Sequence, residues 1–126
     1  MIVSTMVLVA VDDLLFSSKI RATAKQAGVD LTFARSPEEI IGQARAIKPA
    51  LVIFDLNSAK TDPINTISAL KADPGLAGIR TMGFASHVHT ELIAAARQAG
   101  ADQVLARSAF AGNLAEILLT AQSPTP

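Results

Sequence analysis

Short apolar runs alternate along this chain with longer segments whose apolar residues recur every three or four positions. Five runs have the composition of strands, at positions 7–11, 31–34, 51–54, 80–85 and 103–106. The first, third and fifth lack strict alternation of apolar and polar residues, as expected for parallel strands with both faces covered. The pattern therefore predicts a buried parallel sheet.

The intervening segments have the spacing and the end signals of helices. In the first, the apolar residues Phe16, Ile20, Ala24 and Ala27 share one face, and Gly28 ends the helix. The next begins with the capping box at positions 36–39, Ser-Pro-Glu-Glu.

The remaining sequence predicts a third, a fourth and a fifth helix. Asp62 and Pro63 predict a cap followed by the first residue of the third helix. The fourth runs from about Thr90 to Gly100, with Ser86, His87 or Thr90 as its cap. The fifth is predicted as one helix that aligns Phe110, Leu114, Ile117 and Ala121.

Five strand–helix units in alternation predict one doubly wound α/β domain with right-handed crossovers and helices on both faces of the sheet. We expect this domain to span residues 1–122, followed by a short disordered tail at 123–126. Neither an internal repeat nor a linker interrupts the pattern.

Composition narrows the classes of function. Lysine plus arginine number 11, as do aspartate plus glutamate, so the chain has no net charge to attract nucleic acid or an anionic membrane. The absence of cysteine excludes disulfides and thiol catalysis, and it fits a reducing cytoplasm. The apolar run 1–11 is too short to span a membrane, because Asp12 ends it.

Three acids follow the predicted strands at one edge of the sheet. Asp12 and Asp13 come after the first strand and Asp55 after the third, where ligands bind in open α/β sheets. No glycine-rich turn is present to hold a nucleotide phosphate. Carboxylates in this arrangement suit Mg²⁺, although capping of the first helix and an ordinary loop role for Asp55 are the alternative explanations.

In the order and spacing of these residues the chain resembles the receiver domain of two-component response regulators, over its whole length. The resemblance implies a flavodoxin-like strand order 2-1-3-4-5 and a phosphoacceptor role for Asp55. It also implies Mg²⁺ ligands from Asp12, Asp13, Asp55 and Asn57. The partners it implies are a sensor histidine kinase or phosphotransfer protein, a downstream protein, and a second copy of the chain in a homodimer. It implies a signalling module in the cytoplasm, not an enzyme.

Several positions depart from the receiver pattern. Ala85 stands where the family has a threonine or serine, and Ser86 follows it as a candidate substitute hydroxyl. Arg107 replaces the family's lysine, Ser108 replaces a proline, and Val104 replaces an aromatic residue. Arginine keeps the positive charge of lysine but presents a planar fork of donors.

Two functions follow from this mixture. In the favoured one, a stand-alone receiver domain accepts a phosphoryl group on Asp55 with Mg²⁺, aided by Arg107 and Ser86. In the alternative, Arg107 is a permanent counter-ion, and the domain docks or dimerises independently of phosphorylation. A hydrolase built on Ser86 and His87 is a distant third, because the sequence around the serine is not a nucleophile elbow.

Overall fold

The computed structural model describes residues 6–121, so the predicted tail at 123–126 lies outside the described residues. Its strands are β1 (Val7–Ala10), β2 (Leu31–Phe33), β3 (Leu51–Asp55), β4 (Arg80–Ala85) and β5 (Gln103–Ala106). Its helices are α1 (Leu14–Ala27), α2 (Pro37–Ile47), α3 (Pro63–Ala72), α4 (Thr90–Ala99), α5 (Arg107–Gly112) and α6 (Leu114–Ala121). The strands form one parallel sheet in the order β2-β1-β3-β4-β5, which confirms the predicted fold.

Helices on both faces bury the central strands completely. Side chains alternate between the faces, so β1 and β3 contribute to two separate apolar clusters. One cluster lies against α1, α5 and α6, and the other against α2, α3 and α4. Among residues 6–121, no helix is long and apolar enough to cross a membrane.

Two of the predicted caps are confirmed, the third places Asp62 at the N-cap position of α3 before Pro63 as predicted but without a capping hydrogen bond, and the fourth is wrong. The Asp13 carboxylate accepts a hydrogen bond from the backbone N–H of Phe16 at 3.0 Å, and Ser36 caps α2 in the same way. Asp62 precedes α3, but it adopts a left-handed conformation with φ 43°, and its carboxylate accepts from the Asn65 side chain instead of a backbone N–H. His89 occupies the cap position of α4 without a side-chain capping bond, so none of the three residues proposed for that role fills it.

The predicted fifth helix is divided into α5 and α6 at Asn113. The Asn113 side chain donates to the carbonyl oxygen of Ala109 at 2.8 Å, and its backbone N–H donates to the same oxygen at 3.1 Å. Asparagine competes in this way for backbone acceptors, which explains the break within an otherwise regular apolar stripe.

A polar cluster ties the β4–β5 side of the sheet to α3. Asp102 accepts hydrogen bonds at 2.8 Å from both the Lys71 ammonium and the backbone N–H of Thr81. Lys71 also donates to the carbonyl oxygens of Ala77 and Ile79. Partial burial raises the pKa of Asp102, but the hydrogen bonds from Lys71 and Thr81 outweigh it and hold that pKa below its ordinary value of 3.8.

Replacing this carboxylate is expected to weaken the fold in a pH-dependent way. Because the pKa of Asp102 is lowered by folding, ionised Asp102 stabilises the protein above about pH 3.8, and this is lost as the pH falls through the folded-state pKa. Urea unfolding should show Asp102→Asn less stable than wild type at neutral pH, with the difference shrinking in acid. A difference that is constant with pH would contradict the assignment.

Gly83 in β4 lies against the side chain of Leu56. A Cβ atom at this position would be 2.8 Å from Cδ2 and 3.0 Å from Cγ of Leu56, which is itself buried. We expect Gly83→Ala to destabilise the domain by about 1–3 kcal/mol, the usual effect of overpacking.

Gly42→Ala is the matched control, because this glycine lies within α2 and a Cβ there meets nothing within 4 Å. Alanine should stabilise that helix by about 0.5–1 kcal/mol. Urea unfolding of both variants tests the packing, and equal stabilities for the two would count against it.

Candidate functional site

Asp55 is the last residue of β3, the central strand of the sheet. Its side chain is only 7% exposed. Oδ1 accepts a hydrogen bond from the backbone N–H of Asn57 at 3.0 Å, in a turn that the carboxylate closes on its own chain. The backbone N–H of Leu56 donates to the Phe84 carbonyl oxygen on β4, so the turn begins from a fixed strand end.

A cavity of about 480 Å³ opens at this edge of the sheet, where β1 and β3 end. It brings together five of the six predicted site residues; its lining is Asp12, Asp13, Leu14, Leu15, Asp55, Asn57, Ser58, Ala59 and Arg107. The convergence follows from the parallel sheet, whose strands all end at the same edge.

The two acids after β1 have different surroundings. Asp13 is the N-cap of α1, as the capping alternative predicted for one of the pair. Asp12 is a third exposed and lies 4.0 Å from the Lys60 ammonium, which comes from the loop after β3. Lys60 was missed from the sequence, because nothing in its neighbourhood marks it as the partner of an acid 48 positions earlier.

Arg107 begins α5 directly after β5 and reaches Asp55 across the intervening strand. Its Nη2 lies 3.7 Å from Oδ1 of Asp55. The strands are spaced by about 4.8 Å, so the side chain crosses about 10 Å between β5 and β3. Asp55 is in register with Phe84, and Phe84 with Leu105, which places all three on one face of the sheet. The Arg107 guanidinium lies on that same face, since it contacts Asp55 and lies over the Phe84 ring.

The electrostatics of the cavity centre on Asp55. Burial raises the pKa of the Asp55 carboxyl above its ordinary value of 3.8. The Asn57 N–H and the Arg107 guanidinium oppose that rise in pKa, while the carboxylates of Asp13 and Asp12 add to it. The site therefore disfavours the ionised form of Asp55 unless more positive charge enters.

The oxygen donors around the cavity have the chemistry that Mg²⁺ prefers. Mg²⁺ is held in proteins by one or two carboxylates and keeps several waters, and Asp12 and Asp55 supply carboxylates here. Within the described range 6–121, no three His, Asp or Glu side chains form a group that could enclose a metal ion. The residues thus fit a cation bound by few protein atoms, and the metal roles of Asp12, Asp13, Asp55 and Asn57 stay predictions.

Ser86 does not line the cavity that contains the three acids. It lines a second cavity, of about 410 Å³, together with Phe16, His87, Arg107, Ser108 and Ala111. Arg107 is the wall shared by the two cavities. His89, just before α4, lies 4.0 Å from Glu91 in the first turn of that helix. Ser86 and His87 line the second cavity with neither Asp55 nor any other described acid, which gives no support to a hydrolase built on them.

No family model matches the sequence, and no match to a curated protein was found. Solved structures, in contrast, are similar to this chain. The chain is similar to a response regulator from Hahella chejuensis, with a TM-score of 0.83 at 19% identity, over 97% of this chain and 100% of that one. It is similar to the chemotaxis response regulator CheY4 of Vibrio cholerae, with a TM-score of 0.79 at 16% identity, over 94% and 99% of the two chains.

A third similar structure is the signal receiver domain of a signal transduction histidine kinase from Syntrophus aciditrophicus. Its TM-score is 0.80 at 17% identity, over 93% of this chain and 89% of that one. The three comparisons cover nearly the whole chain, and they show that the protein has the receiver-domain fold.

The raised pKa of Asp55 predicts that this carboxylate lowers stability when it is ionised. Between pH 3.8 and the folded-state pKa the native protein holds more protons than the unfolded chain, so stability falls as the pH rises through that range. Asp55→Asn should therefore be more stable than wild type at neutral pH, in urea unfolding, and the gain should vanish below pH 3.8.

Asp62→Asn is the matched control, since it removes the same charge from an exposed site in the following loop, where asparagine tolerates the left-handed conformation. It should leave stability nearly unchanged. Destabilisation by Asp55→Asn at neutral pH would contradict the account of the site.

Proposed function

We propose that this protein is a receiver-type signalling module that accepts a phosphoryl group on Asp55 and signals through protein–protein contacts. The observation that carries the proposal is the buried carboxylate at the end of β3, with a guanidinium beside it and two further acids in the same cavity. A receiver fold with this arrangement supports phosphoryl transfer better than any other chemistry of the site.

In the proposed reaction, one carboxylate oxygen of Asp55 attacks the phosphorus atom of a phosphohistidine or a small phosphodonor. A new O–P bond forms while the bond from phosphorus to the donor's nitrogen or oxygen breaks. The leaving group keeps the electron pair and takes a proton from water. Arg107 can bind the transferred phosphoryl oxygens through two parallel N–H donors, as guanidinium groups do with phosphate.

The acids of the cavity would hold the cation that this transfer needs. Asp12, Asp13 and Asp55 offer carboxylates, and Asn57 offers its backbone carbonyl. When bound, Mg²⁺ would neutralise negative charge on the phosphoryl oxygens. The bound cation would also reduce the repulsion that three acids present to an anionic donor.

A histidine kinase or a phosphotransfer protein is the proposed donor. Leu14 and Leu15 are 71% and 86% exposed at the rim of the cavity, and they give an incoming protein apolar contact beside the reactive carboxylate. A downstream protein would read the phosphorylated state.

One observation favours the phosphorylation-independent alternative. Arg107 already lies against Asp55, and Ala85 has no hydroxyl to bind a phosphoryl oxygen. In that case the ion pair is a permanent structural element, and the domain docks or dimerises in a single state.

Incubation with Mg²⁺ and phosphoramidate or acetyl phosphate separates the two candidates. Intact mass spectrometry should show one phosphoryl group added to wild type and to the control Asp62→Asn, and none added to Asp55→Asn. Removal of Mg²⁺ by EDTA should abolish the addition. Wild type that remains unmodified with both donors would overturn phosphorylation and favour the docking module.

A further inference from the structure

Three stacked phenylalanine rings lie beneath the Arg107 side chain. Phe16 from α1, Phe84 from β4 and Phe110 from α5 form this phenylalanine stack. Their ring centroids are 5.0 Å apart for Phe16 and Phe84, 4.4 Å for Phe84 and Phe110, and 5.7 Å for Phe16 and Phe110. The Arg107 guanidinium carbon is 5.8 Å from the ring centroids of both Phe16 and Phe84, within the range of a cation–π contact.

The phenylalanine stack can stabilise the extended conformation that Arg107 needs to reach Asp55. Arg107 and Asp55 start from strands that are not neighbours, so the arginine side chain must stay extended across Phe84 to make its contact. A long side chain has many rotamers, and an exposed arginine would rarely keep this one without support. The two rings supply that support along the path of the guanidinium.

One part of the Arg107 side chain is buried and another part is exposed, as expected for a side chain that lies against aromatic rings. Its side chain is 40% exposed overall, yet Nε is fully buried and has no hydrogen-bond partner among the described residues. The guanidinium carbon next to this nitrogen lies over the rings of Phe16 and Phe84, so apolar groups cover part of the desolvated side chain. The far end of the guanidinium is left to face Asp55.

Phe16 is the member of the stack whose role can be separated from the core. Phe84 and Phe110 are fully buried, whereas Phe16 is only partly buried, in the first turn of α1. The backbone N–H of Phe16 donates to Asp13, so the capped end of α1 fixes the turn that carries the ring.

We propose that Phe16 is a positioning residue that holds the Arg107 guanidinium against Asp55 through the face of its ring. The proposal rests on the proposed function, because it explains how an arginine serves where the receiver pattern has a lysine. If Phe16 has this role, the first turn of α1 helps to determine the position of Arg107 at the phosphoacceptor site. Asp13 contributes to that positioning as the cap, in addition to any role as a ligand.

Phe16→Leu tests the positioning directly, by nuclear magnetic resonance of the arginine Nε–Hε groups. Loss of the ring should lower the heteronuclear Overhauser effect of Arg107 Nε and move its Hε signal downfield, as ring currents are removed. Phe16→Tyr, which keeps the ring, should retain the wild-type signal.

The chain supplies a matched control at a distance from the site. The Arg21 guanidinium carbon lies 4.4 Å from the ring centroid of Phe33, which is also partly buried. Phe33→Leu should disturb the Arg21 signal and leave Arg107 unchanged. If Phe16→Leu does not fold, Phe16→Met fills similar space without a ring and replaces it. A wild-type Arg107 signal in the folded ring-less variant would overturn the proposal.

A double-mutant cycle on phosphate incorporation adds a functional readout. Phe16→Leu should slow phosphorylation several-fold in wild type and have no further effect in Arg107→Met, since it acts through the arginine. The same slowing in both backgrounds would contradict positioning. If wild type takes no phosphate, the proposed function fails, while the resonance measurement still decides the role of Phe16 because it needs no phosphoryl group.

Discussion

The buried carboxylate of Asp55 is the constraint on which the rest of the site depends. Its strand, β3, has no exposed side chain, and an ionised group at such a position loses most of its hydration. Compensation comes from the Asn57 N–H and from Arg107, and both are incomplete, because the pKa of Asp55 stays raised. Because the site disfavours the ionised carboxylate of Asp55, a bound cation would stabilise that ionised form.

Sheet register connects this constraint to the helices. Asp55 lies opposite Phe84, on the face covered by α1 and α5, so the space beside the carboxylate is filled by aromatic rings. Arg107 passes over those rings and forms the wall between two cavities. We therefore expect a change in charge at Asp55 to act first on Arg107, because that guanidinium lies between Asp55 and the rings carried by α1 and α5. The receiver pattern has a hydroxyl residue at the position of Ala85 and an aromatic residue at the position of Val104. This chain has neither, so a response to charge at Asp55 cannot depend on those two side chains.

The fold was predictable because strand and helix patterns are strong in this sequence, and strand ends at one edge of a parallel sheet brought Asp12, Asp13, Asp55 and Asn57 together. The sequence did not decide whether Arg107 contacts Asp55, because this contact depends on the register of two strand pairs, which a single sequence does not specify. The break at Asn113 was missed although Gly112 precedes it, because the apolar stripe of Phe110, Leu114, Ile117 and Ala121 continues in register across the break.

The conformation of Asp62 and the aromatic support of Arg107 were missed for a related reason. An aspartate before a proline is a common cap, and nothing local in the sequence indicates the left-handed conformation or the hydrogen bonds from Asn65 that Asp62 accepts instead. The three rings come from α1, β4 and α5, and they are brought together only by the folded chain. Local signals thus specify the elements and the acidic part of the site, while tertiary packing decides its cationic part.

The proposed function depends on Asp55 being the residue that receives a phosphoryl group. Borohydride reduction after incubation with Mg²⁺ and phosphoramidate converts an aspartyl phosphate to homoserine, which peptide mass spectrometry can locate. We expect homoserine at position 55 and unchanged aspartate at positions 12, 13 and 62. Unmodified Asp55, or homoserine at any of the other three positions, would contradict it.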